Sequence, residues 1–130
     1  MRRNLNMALH VSWDKFAARS KTAAANPGAV GKLHRMRIAG KRLRDIMELC
    51  LPFAGLEFKR AFGRLKDVVS LMGKIHDLDD ASNILGKFEN LSGSGKIRRF
   101  VKARRQKLHT RFKKSQKNLT RPDFGNLIKI

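Results

Sequence analysis

Apolar residues recur along most of the chain at intervals of three and four, the spacing that keeps side chains on one face of an α-helix, and no stretch alternates at two as a half-buried strand would. The clearest stripe is Phe58, Phe62, Leu65, Val69, Met72 and Ile75, the buried face of one helix. Leu78, Ala81, Leu85 and Phe88 continue it, with Asp77 placed to cap a new helix by accepting from a backbone N–H. A second stripe joins Met36, Ala39, Leu43, Ile46, Met47 and Cys50, and a third joins Ile97, Val101, Leu108, Phe112 and Leu119. Punctuation is sparse: Asn26-Pro27-Gly28, Pro52, Ser92-Gly93-Ser94-Gly95 and Arg121-Pro122-Asp123. The pattern predicts helices over about 3–25, 29–51, 56–76, 78–91 and 96–119, and a short terminal helix near 123–129. Tyrosine is absent and β-branched residues are scattered, so the fold class is all-α. Short connections favour an antiparallel helical bundle of four to five main helices, in a single domain over residues 1–130.

Composition adds a partner to this picture. The 130 residues carry 30 Lys and Arg against 10 Asp and Glu, a net charge of +20, while 42% hydrophobic residues suffice for a core. Such a charge repels itself in the compact state and is expected only where an anionic partner offsets the cost. Nucleic acid, an anionic membrane surface and another phosphate polymer all remain open at this level. The single cysteine, Cys50, has no intramolecular partner, which fits a reducing, cytoplasmic setting and leaves packing as its role. The first residues read as the start of a helix and not as a signal peptide, because Asn6 and His10 interrupt the apolar stretch. No apolar run reaches the length of a membrane span, so no integral membrane contact is expected.

The charge is not spread evenly. Opposite the Met36–Cys50 stripe, His34, Arg37, Lys41 and Arg44 share the other side of the helix over roughly 15 Å, at about 1.5 Å per residue. Asp45 is the only acid nearby, and Arg35 and Arg42 widen the stripe on its far flank. Like charges stacked on one helix repel, so a linear anion explains the set better than a plain solvated surface does. From Lys96 to Arg121 there are 12 Lys and Arg and no acid. Arg104 falls where that helix should place its next apolar residue, either as the inner lip of a binding groove or as half of a structural ion pair. Lys102, Lys113 and Lys117 read as general field.

Two blocks carry a resemblance. His34-Arg35-Met36-Arg37, followed by Lys41-Arg42-Leu43-Arg44, resembles the signature helix of the CHAD family, the conserved histidine α-helical domain. Leu65-Lys66 and then Leu71-Met72-Gly73-Lys74-Ile75-His76-Asp77-Leu78-Asp79 is similar to the family's second block, in the right order and at the right separation. Trp13 and, more weakly, Leu119, Pro122, Phe124 and Leu127 extend the likeness over nearly the whole chain. The resemblance implies a helical bundle that binds inorganic polyphosphate, or another polyanion, through basic side chains, without a cofactor and without catalysis. Carried over, the contacts are His34, Arg37, Lys41, Arg44, Lys66 and His76, with Arg42 and Arg104 as further candidates. Family members commonly hold two such halves around a shared basic channel. Only one set of blocks is present here, which implies a homodimer that restores the missing half. Two positions depart from the family pattern: Gly40 stands mid-helix where a bulkier residue is usual, and His76 stands at an often-Arg position, where its charge depends on pH.

Three rival readings stay in view. A binder of nucleic acid such as structured RNA shares the electrostatics but would add aromatic platforms for bases, whereas Trp13 and most Phe residues fall on apolar stripes. His76-Asp77 resembles the dyad of metal-dependent phosphohydrolases, with Asp79, Asp80 and His34 nearby, but adjacent helical residues diverge by about 100° and no further ligand stands at a metal spacing. A basic amphipathic helix over 96–119 could lie on an anionic membrane, which leaves the His34–Arg44 stripe unexplained.

Overall fold

In a computed structural model, residues 2–26, 28–88, 93–122 and 124 are described. Four helices follow one another: α1 (Arg2–Ala25), α2 (Val30–Cys50), α3 (Leu56–Gly86) and α4 (Ser94–Lys117), with a 3-10 turn at Leu51–Phe53 between α2 and α3. Each packs on the next in chain order, as short connections dictate. The pairings are antiparallel. His34 near the start of α2 meets His76 late in α3, Phe16 of α1 approaches Gly40 of α2, and Asp79 of α3 reaches Arg105 of α4.

The stripes close into one core. Leu9, Trp13 and Phe16 of α1 join Met36, Leu43, Met47 and Cys50 of α2, Phe58, Leu65, Met72 and Ile75 of α3, and Leu108 and Phe112 of α4. Burial pushes the Cys50 thiol up from its ordinary value of 9.0, so the sulfur packs as a small apolar group. Packing is close at Gly40, where a Cβ would stand 3.1 Å from both the Phe16 and Val69 side chains and 3.4 Å from Met72. A mid-helix glycine lowers helix stability by about 0.5–1 kcal/mol relative to alanine, and here it lets α1, α2 and α3 close on one another.

Phe124 belongs to the core as well. It meets the rings of His10, Trp13 and Phe58 edge-on at 5.5, 5.8 and 6.0 Å, fastening the segment after α4 onto α1 and α3. Arg121 reinforces this closure: its Nη1 donates to Asp14 at 2.9 Å, its Nη2 pairs with His10, and its guanidinium lies 5.7 Å from the Phe124 ring.

Three expectations change. The predicted break at residue 77 is absent, and α3 runs unbroken through Asp77, which is exposed inside the helix and caps nothing. A cap requires non-helical backbone, and no glycine or proline between Lys74 and Ala81 imposes it. The inner position expected for Arg104 belongs to Arg105, and Arg104 is exposed. Ile97, expected on the core stripe of α4, and Phe88, expected to continue the stripe of α3, are also exposed. The end of the predicted 78–91 helix beyond Phe88, and the 123–129 helix apart from Phe124, lie outside the described residues.

Candidate anion-binding groove

The α2/α3 pairing turns the basic stripe of α2 into one wall of a groove. Because the helices run antiparallel, residues three and four apart on α2 meet residues three and four apart on α3 in reverse order. His34 stacks on His76 at a centroid distance of 5.2 Å and an interplanar angle of 24°. One turn on, the Arg37 guanidinium lies across Gly73, where a Cβ would be only 3.7 Å from its Nε and Nη2. Lys41 and Arg44 follow along α2, with Ser70 and Lys66 opposite, around a cleft of about 340 Å³.

The electrostatics are one-sided. No carboxylate lines the cleft. Acids stand at its two ends: Asp80 lies 3.4 Å from His76 Nε2 and Asp79 borders the small pocket that His34, Arg37 and His76 share, while Asp45 lies 3.2 Å from Arg44 Nη2. Arg37 is half-buried, and its Nε is fully enclosed with no hydrogen-bond partner among the described residues. Lys66 sits 5.5 Å from the Phe62 ring, which holds the stem of the ammonium at the rim. The cleft thus offers arginine forks and lysine point charges in a row, suited to successive phosphate groups.

Six of the sequence-predicted site residues come together here: His34 and His76 at one end, Arg37 and Lys41 in the middle, Arg44 and Lys66 at the other. Two do not. Arg42 lies on the opposite flank of α2, in a separate groove with Lys15, Arg19 and Arg35. Arg104 lies on α4, which contributes nothing to the cleft. Asp77 is exposed and Asp79 is paired with Arg105, so of the three neighbouring carboxylates only Asp80 reaches His76 within ion-pair distance. Among the described residues no three His, Cys, Asp or Glu side chains group as a metal site would need.

Sequence reasoning missed the Asp79–Arg105 pair. Arg105 Nε donates to Oδ1 at 2.7 Å and Nη2 to Oδ2 at 3.4 Å, with the two side chains 23% and 11% exposed. A polar residue interrupting the α4 stripe was the available signal; its α3 partner was not legible without the register. Next to this pair His109 is pushed below its ordinary value of 6.5, first by burial and then by Lys113 and Arg105, against a smaller pull from Asp79. The same surroundings favour the neutral imidazole, whose ring centroid lies 5.9 Å from that of Phe112.

Among known protein families, the chain matches the CHAD domain over residues 1–86, which takes in α1, α2 and α3 and ends as α4 approaches. No curated protein and no solved structure matches it.

Proposed function

The chain belongs to the CHAD domain family, and on that premise we propose that it binds inorganic polyphosphate in the α2/α3 groove and does not turn it over. The observation that carries this reading is the row of Arg37, Lys41, Arg44 and Lys66 around a cleft that no carboxylate lines among the described residues, continued past Arg37 by the stacked His34 and His76. A chain of identical phosphates has no sequence to read, so every contact positions and none selects. Affinity then comes mainly from release of condensed counterions and falls steeply with salt.

Nucleic acid is the competing ligand. The aromatic rings at the cleft are His34 and His76, which stack on each other at one end; no Phe or Trp among the described residues lines it, and Trp13 is buried among Phe16 and Phe124, so bases would find little stacking platform there. The test is a calorimetric titration with long-chain polyphosphate at two salt concentrations, beside duplex and single-stranded RNA at equal phosphate. Polyphosphate is expected to bind more tightly than either RNA. RNA that displaces it would reverse the assignment, and phosphate release on adding divalent metal would make the protein an enzyme.

We propose also that two copies associate. Ile84 near the end of α3, Phe88 just beyond it, and Ile97 and Phe100 at the start of α4 are between 49% and 68% exposed. The antiparallel α3/α4 pairing sets all four at the same end of the bundle, an apolar patch that a second copy would cover. Sedimentation is expected to give a dimer, and Phe100→Ser to shift it toward monomer; a monomer at tens of micromolar for the unaltered chain would end this proposal.

A further inference from the structure

The opposite flank of α2 carries cations that the α2/α3 groove does not use. Antiparallel packing brings Lys15 and Arg19 of α1 beside Arg35 and Arg42 of α2, around a shallower groove of about 120 Å³ floored by Ile38 and Ala39. All four are exposed, and none makes a hydrogen bond or ion pair among the described residues. The nearest acids on these helices are engaged elsewhere, Asp14 by Arg121 and Asp45 by Arg44. Four like charges around one groove with no counter-charge raise the energy of the empty protein. A linear anion lying between the helices removes that cost.

From this placement we propose that the α1/α2 groove is a second polyphosphate track, and that a long chain passes over α2 to occupy both grooves at once. The inference rests on the polyphosphate reading and extends it to chain length. Both tracks border α2, whose thickness with side chains is about 10 Å, so a short chain fills one groove while a long one reaches both. The second engagement is then intramolecular, and long chains gain avidity without any new kind of contact, by about a hundredfold or more.

The experiment compares three forms of the full chain by titration with short and long polyphosphate: the unaltered protein, a variant with Lys15→Ala, Arg19→Ala, Arg35→Ala and Arg42→Ala, and a control with Lys102→Ala, Lys107→Ala, Arg111→Ala and Lys114→Ala. The control removes the same charge from exposed positions of α4. The unaltered protein and the control are expected to bind two equivalents of short chain, and the α1/α2 variant one. The preference for long over short chains is expected to drop at least tenfold in that variant alone. A single equivalent in the unaltered protein, or an equal loss in variant and control, overturns the second track while leaving polyphosphate binding in place. No polyphosphate binding in any form overturns both, and an equivalent that short RNA fills in preference overturns the assignment of this groove.

Discussion

Asp79→Ala is expected to lower folding stability by about 2–3 kcal/mol, the range for removing a charged hydrogen-bond partner from a largely enclosed pair. The carboxylate accepts both Arg105 bonds and is only 11% exposed, so its loss leaves a half-buried guanidinium with no counter-charge. The consequence falls on α4. That helix carries many cations and no acid; Leu108 and Phe112 hold it on the core, and this bidentate pair ties it to α3. Urea unfolding of Asp79→Ala, Arg105→Ala and the double variant gives the coupling directly. The double variant is expected to cost much less than the sum of the singles, since it leaves neither charge stranded. Additive losses of a few tenths of a kcal/mol would mark the pair as an ordinary surface contact, of roughly 0–1 kcal/mol.

The largest effect on binding is expected from Arg37→Ala, Lys41→Ala and Arg44→Ala together. Each cation that neutralises a phosphate steepens the dependence of log K on log salt by about 0.9, so the triple variant should flatten that slope by close to three units. Because the counterion term vanishes near 1 M salt, the same change amounts to a few hundredfold in affinity at about 0.1 M. Stability should move the other way or stay level. Three like charges leave one face of α2, alanine is the best helix former, and none of the three sits in the apolar core. Anisotropy titrations with labelled polyphosphate across a salt series measure the slope, and thermal unfolding checks the fold. An unchanged slope in a well-folded variant would remove the groove from the binding site.

The sequence made some of this legible and hid the rest for physical reasons. The stripes of α2 and α3 were readable because helical spacing alone decides which residues point inward: most of the Met36–Cys50 and Phe58–Ile75 positions are buried, whereas Leu78, Ala81 and Leu85 beyond them are half-buried and Phe88 is exposed. The cations of α2 opposite that stripe were readable for the same reason. Their partner wall was not: that Lys66 stands beside Arg44 and His76 beside His34 depends on the α2/α3 register, which packing at Gly40 helps to set. Between Val101 and Leu108, Arg104 and Arg105 fit a helical stripe about equally well, and only Asp79 on another helix decides between them. Arg42 shows the same limit. Its sequence neighbours suggested one basic face, but its angle on α2 sends it to the α1 side. The break expected at Asp77 came from reading a cap where nothing stops the helix.

Gly40 touches no anion, yet α1, α2 and α3 close on it. A bulkier side chain there would push α2 from both neighbours and widen the two grooves together. The gauge of the cation rows on either flank is therefore set by an uncharged residue, and a substitution at Gly40 can retune which polymer fits without altering a single charge.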